Sequence, residues 1–172
     1  REPALAWETN CIAIVEHMSK RSCPTIMPMT NSGYGVGGEG ACTEDSPLNP
    51  LSVYGRTKVE AEKAVLNYDG ITLRFATLAG ISPRMRFDLL LNDFCARAVR
   101  DRSIVLFEPH FRRNYLHVRD AALAIIWAMD HYDTMKGKSY NVGLPDANFT
   151  KRQLCEKIKE QVPDLVILEA PI

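Results

Sequence analysis

The stretch SVYGRTKVEAEKAVLN (residues 52–67), followed after Tyr68-Asp-Gly70 by ITLRFAT (residues 71–77), decides the fold. In the first part Val53, Val59, Ala64, Val65 and Leu66 are apolar, while Glu60, Glu62 and Lys63 read as outward-facing, which predicts a helix over Ser52–Asn67. The second part predicts a strand over Ile71–Thr77. Upstream, Thr25–Thr30 is a short apolar run that predicts a buried strand, against which only Pro28 speaks. Between them Asn31–Leu51 reads as a long loop rich in Gly, Pro, Ser and Asp, and loops of that length in a compact domain are usually functional. Pro3–Ser19 reads as a helix with proline in its first turn. Downstream, Arg86–Asp101 predicts a helix with Phe87, Leu90, Leu91, Phe94 and Ala98 on one face. Short strands follow at Ile104–Phe107 and Tyr115–Val118, then a helix Asp120–His131 capped by Asp120. Tyr140–Val142 and Leu165–Leu168 read as strands around a helix opened by Thr150, with Gln153 completing a capping box. Strands alternating with helices predict an α/β fold with a parallel sheet.

Composition narrows the class. The 172 residues are 46% hydrophobic and 24% charged, the mix of one ordinary globular domain and too apolar for a disordered tail. Lys plus Arg and Asp plus Glu number 21 each, so the balance gives no sign of a nucleic-acid or membrane partner. The longest apolar run, Ala121–Met129, is far short of the ~20 residues that span a bilayer. No apolar signal core follows the opening Arg-Glu-Pro. The five cysteines are widely spaced, with no Cys-x-x-Cys and no zinc spacing, so no metal is expected. Cys11 and Cys95 fall among apolar neighbours and are expected to be buried; a reducing cytoplasm is the default compartment.

Gly33-Tyr-Gly35-Val-Gly37-Gly38 matches the dinucleotide pattern G-x-G-x-x-G. That pattern works only where its last glycine opens a helix whose N-terminus holds a pyrophosphate. Here Glu39-Gly-Ala-Cys-Thr-Glu-Asp-Ser-Pro47 follows and no amphipathic helix begins, so the glycines read as a surface loop.

Tyr54 and Lys58 stand four apart on the predicted helix and share a face. A free tyrosine has a pKa of ~10, so about one in a thousand is ionised at neutral pH. A neighbouring ammonium favours the phenolate, each unit of lowering being worth ~1.4 kcal/mol. Such a pair can act as a general base. Thr30 closes the strand ahead of them, where open α/β sheets bind ligands.

Taken together, Thr30-Asn-Ser-Gly-Tyr34-Gly35, Glu44-Asp-Ser-Pro47-Leu-Asn-Pro50 and Tyr54-Gly-Arg-Thr-Lys58 resemble the extended short-chain dehydrogenase/reductases, the NAD-dependent nucleotide-sugar epimerases and dehydratases. Leu73-Arg74-Phe75 to Gly80, Arg113-Asn-Tyr115-Leu-His117-Val118-Arg-Asp120 and Tyr140-Asn-Val-Gly143 extend the resemblance over nearly the whole chain. It implies a partial Rossmann-type parallel sheet with part of a small C-terminal substrate lobe. Residues 1–80 would be the C-terminal half of the NAD-binding core, and 81–172 mostly substrate lobe, interleaved with returning core elements. The family's glycine-rich NAD-binding turn is missing, so the chain reads as a fragment that alone would not hold NAD.

The resemblance also implies roles. Tyr54 would take a proton from a sugar hydroxyl, Lys58 would hold the nicotinamide ribose, and Thr30 would hydrogen-bond the sugar oxygen, with Ser32 as the alternative hydroxyl. Asn10 matches a cofactor-side asparagine, or is a helix-surface amide. Phe75 stands where an aromatic packs near the nicotinamide, or is plain core. Arg113 matches the arginine on the nucleotide diphosphate, and Asn92 could reach that group. Thr77 occupies the place of a substrate-binding asparagine, which leaves the sugar open. His117 reads as structural. The implied partner is a nucleotide sugar, in a cytoplasmic homodimer. Dehydratases need a second acid/base group just beyond the threonine, and Asn31 and Ser32 cannot serve. A 4-epimerase is therefore favoured over a reductase, a dehydratase or a non-catalytic binding protein.

Overall fold

The computed structural model describes residues 2–20, 23–36 and 40–171. In chain order come α1 (Pro3–Trp7), a π-helical turn (Glu8–Ile12), α2 (Ala13–Lys20), β1 (Ile26–Thr30), a 3-10 turn (Asn31–Tyr34), α3 (Val53–Asn67), β2 (Ile71–Phe75) and β3 (Thr77–Ala79). Then follow α4 (Leu90–Arg100), β4 (Ser103–Leu106), β5 (Arg112–His117), α5 (Val118–Asp130), α6 (Tyr132–Met135), β6 (Ser139–Val142), β7 (Asn148–Thr150), α7 (Lys151–Gln161) and β8 (Val166–Glu169). They fall into two units. The first takes the described residues up to Ala76 with Ala121–Val142, the second Thr77–Asp120 with the residues from Gly143 on.

The first unit is built on a parallel sheet in the order β1-β2-β6. All five residues of the central β2 are buried, as expected of a parallel strand covered on both faces. β1 alternates, with Met27 and Met29 inward and Pro28 exposed. Among the described residues β1 pairs with β2 alone, and at such an edge a missing N–H is tolerated. Ser52 caps α3, its Oγ accepting the Gly55 N–H at 3.0 Å. Ala61 and Val65 of α3 then close a core with Met27, Met29 and Cys11. The register pairs Thr30 with Phe75 and Phe75 with Val142, so these three residues line the C-terminal end of the sheet.

The second unit holds a sheet β3-β5-β7, with β7 antiparallel, and a parallel pair β4-β8. Phe94, Ala98, Ile104, Leu106, Tyr115, Leu154, Ile158 and Leu165 form its core. The capping box at Thr150 and Gln153 opens α7 as predicted.

Several expectations are corrected. The strand predicted over Ile71–Thr77 is two strands in different sheets, with Ala76 between them. The helix expected from Arg86 starts at Leu90, because Arg86 folds onto Asp88 at 2.7 Å and such an i,i+2 pair belongs to a turn. Asp120 lies inside the first turn of α5 rather than capping it. His117 does the capping, its Nδ1 accepting the Arg119 N–H at 3.2 Å. Cys95 is exposed rather than buried, whereas Cys11 is buried. Glu62, read as outward, is 2% exposed, because its partner is a buried arginine. Gly37 and Gly38 of the rejected glycine motif lie outside the described residues. Among the described residues no helix is long and apolar enough to cross a membrane.

Candidate active site

Thr30 ends β1 half-buried in an extended conformation, and its Oγ1 accepts the Ser32 N–H at 3.2 Å. That bond starts the 3-10 turn and fixes the oxygen, while a hydroxyl keeps its own O–H for a ligand. The turn then runs against α3 with almost no clearance. A Cβ on Gly33 would sit 3.3 Å from Val59 Cγ2, and one on Gly55 3.3 Å from the Ser32 carbonyl and 2.9 Å from Pro50 Cβ. Glycine at these two positions lets the Thr30 turn lie on the opening turns of the helix that carries Tyr54 and Lys58.

Tyr54 is 49% exposed, so its ring is outside the core. Lys58 is half-buried one helical turn further on, and desolvation lowers its pKa from the ordinary lysine value. Asn10 sits in the π-helical turn and donates through Nδ2 to Thr57 Oγ1 at 3.3 Å, next to Lys58. Thr57 in turn donates to the Tyr54 carbonyl at 2.9 Å. Phe75 is 5% exposed at the end of β2, in register with Thr30. Thr30, Tyr54, Lys58, Asn10 and Phe75 therefore all belong to the first unit.

The second unit carries the other three expected residues. Thr77 is half-buried on β3 opposite Tyr115. The Asn92 amide ties the segment before α4, accepting the Gly80 N–H at 3.3 Å and donating to the Arg86 carbonyl at 3.1 Å. Arg113 is exposed on β5 opposite Phe149. Its neighbour Arg112 donates to the Asn148 carbonyl at 2.8 Å.

The first unit also holds a buried polar cluster that the residue pattern alone did not bring together. Arg74 is 6% exposed and closes on Glu62 through Nε at 3.1 Å and Nη2 at 2.6 Å. Its Nη1 donates to Tyr34 Oη at 2.7 Å and to the Glu44 carbonyl at 3.0 Å. Burial pulls the Arg74 pKa down, but the hydrogen bonds to Glu62 and Tyr34 and the Glu62 charge outweigh it and hold the guanidinium protonated. The signal was there: an arginine inside an otherwise apolar strand demands a buried partner.

The profile of the NAD dependent epimerase/dehydratase family matches residues 2–143. The low-salt glycan biosynthesis protein Agl12 of Haloferax volcanii is 29% identical, over 77% of this chain and 44% of that protein. A UDP-glucose 4-epimerase of Lactobacillus helveticus is 27% identical, over 78% of this chain and 48% of that protein. The chain thus spans about half the length of the curated relatives it matches. Among solved structures, dTDP-glucose 4,6-dehydratase from Bacillus anthracis in complex with NAD aligns with a TM-score of 0.83 at 24% identity, over 96% of this chain and 56% of that one. ADP-L-glycero-D-manno-heptose-6-epimerase from Helicobacter pylori gives a TM-score of 0.85 at 20% identity, over 100% and 56%. At such identities the structural likeness speaks for the Rossmann-like fold.

Proposed function

The chain belongs to the NAD-dependent epimerase/dehydratase family, and from that membership we propose that it carries the proton-transfer residues of a nucleotide-sugar epimerase, with the sugar C4 as the inverted centre. The observation that supports this most is the packing of the Thr30 turn on the α3 turns bearing Tyr54 and Lys58. NAD, when bound, would supply the transient hydride acceptor and donor for the sugar carbon. Residues of the first unit suit its nicotinamide half: a half-buried ammonium at Lys58 on α3, the Asn10 amide on the neighbouring Thr57, and the aromatic Phe75 at the end of β2.

In this reading Tyr54 as phenolate accepts the proton of the sugar hydroxyl while the carbon loses its hydride; after the keto sugar turns over, the carbon regains the hydride on its opposite face and Tyr54 returns the proton to the oxygen. Lys58 stabilises the phenolate and holds the nicotinamide ribose. Thr30 donates its O–H to the sugar oxygen on which charge develops. Asn31 and Ser32 carry no titratable group, so the elimination of water a dehydratase performs has no second acid/base there. Arg113 takes the diphosphate, with Thr77 and Asn92 as further substrate contacts. All five cysteines are free, which supports a reducing, cytoplasmic setting.

Arg113→Ala is expected to raise the KM for the nucleotide sugar about tenfold or more and to change kcat little, because the diphosphate is remote from the reacting carbon. Arg113→Lys should rescue only partly, since an ammonium lacks the bidentate fork. Initial-rate kinetics on the full-length protein check both, and an unchanged KM in Arg113→Ala removes the residue from this role. The function itself is tested by product analysis with UDP- and dTDP-hexoses. The proposal expects the C4 epimer and no net change in NADH. A dehydrated product or net consumption of reduced cofactor overturns it in favour of a dehydratase or a reductase, and no turnover of any nucleotide sugar overturns it in favour of a binding protein.

A further inference from the structure

The Arg74 cluster joins parts of the first unit that the proposed chemistry needs in fixed relation. Tyr34 Oη accepts from Arg74 Nη1 at 2.7 Å and donates to Asn141 Oδ1 at 2.6 Å. Asn141 lies on β6 and holds the loop between the 3-10 turn and α3, donating Nδ2 to the Cys42 carbonyl at 3.1 Å and its N–H to Glu44 Oε1 at 2.7 Å. Thr72 Oγ1 stands 3.1 Å from Glu62 Oε2 and 2.8 Å from Ser139 Oγ. Glu62 follows Lys58 by one helical turn and Tyr54 by two, on the same face of α3. Tyr34 closes the 3-10 turn that Thr30 opens. One guanidinium therefore grips the proton-transfer face of α3 through Glu62 and the far end of the Thr30 turn through Tyr34.

A buried ion pair is a poor device for stability alone, since apolar residues of similar volume often do as well. A planar fork with assigned partners on three nitrogens is a good device for orientation. We propose that Arg74, Glu62 and Tyr34 form a positioning clamp, setting the Thr30 hydroxyl in register with Tyr54. The proposal rests on the proposed function, since it needs Thr30 and Tyr54 to act on one sugar oxygen. Tyr34, Glu62 and Arg74 touch no substrate in it; they act through Thr30.

The test is kinetic, on the full-length protein with NAD bound. Tyr34→Phe keeps the buried ring and deletes both hydrogen bonds of the hydroxyl. It is expected to lower kcat by about 10- to 100-fold, since misplacing a reacting group by ~1 Å costs about 10²-fold. KM and NAD content should stay within about twofold, because binding groups are untouched. In a Thr30→Val background the same substitution should lower kcat by less than about threefold, because the group it positions is gone. Glu62→Gln, which keeps the volume and an acceptor, should show a weaker loss with the same unchanged KM, and it stands in if Tyr34→Phe does not fold. A kcat that stays at wild type in the folded variants, with only the melting temperature lowered, overturns the clamp. So does a full loss repeated in the Thr30→Val background. Tyr54→Phe run in parallel separates the two readings. If it retains full turnover, the proposed function fails; if it is inactive while Tyr34→Phe is not impaired, only the clamp fails.

Discussion

Tyr54→Phe is expected to lower turnover by about 10²- to 10⁴-fold, the usual worth of a positioned acid/base group. The phenol is 49% exposed on α3, so removing its oxygen takes away the proton acceptor and leaves the core intact. Nucleotide-sugar affinity should change little, because the lost interaction belongs to the transition state. Turnover should also fall on the alkaline side as Lys58 loses its proton, and burial lowers the Lys58 pKa, so that loss comes at lower pH than for an ordinary lysine. Steady-state kinetics across pH check this. Equal turnover in the two proteins would remove Tyr54 from the mechanism.

Arg74→Met should have the largest effect on folding. It removes one partner of a pair in which Arg74 is 6% and Glu62 2% exposed, and leaves a carboxylate buried without its cation. Breaking such a pair costs about 3–5 kcal/mol. Urea unfolding of the first unit should show a midpoint shifted by that amount over its slope. Combining it with Glu62→Leu should recover most of the loss, because the stranded charge is gone. A single variant as stable as wild type would mean that Glu62 finds another cation or simply takes up a proton.

Much of the fold was legible because its signals are local. Thr150 with Gln153 is a capping box that acts within three residues, and it forms. What escaped depends on partners distant in sequence. The apolar pattern of residues 71–77 gives no hint that β2 pairs with β1 and β6 while β3 pairs with β5. Glu62 sits in a charged trio with Glu60 and Lys63 and looks like them, until Arg74, twelve residues on, turns it inward. The π-helical turn under Asn10 leaves no mark in a 3.6-residue period. Asp120 is the better capping residue by type, yet His117 accepts the bond because the helix starts two residues earlier than expected. At the candidate site the spacing of Tyr54 and Lys58 was plain, and so was the strand end at Thr30. The close contact between the Thr30 turn and α3, through Gly33 and Gly55, needed coordinates.

The most direct measurement follows one hydrogen. A nucleotide sugar carrying deuterium at C4 is converted in ordinary water by the full-length protein, and the product is examined by mass spectrometry and NMR. Epimerisation through transient oxidation predicts that the C4 epimer keeps its deuterium at C4, with none lost to water and no net change in nicotinamide absorbance. Deuterium washed out into solvent, or moved to C6 of a dehydrated product, would contradict the account.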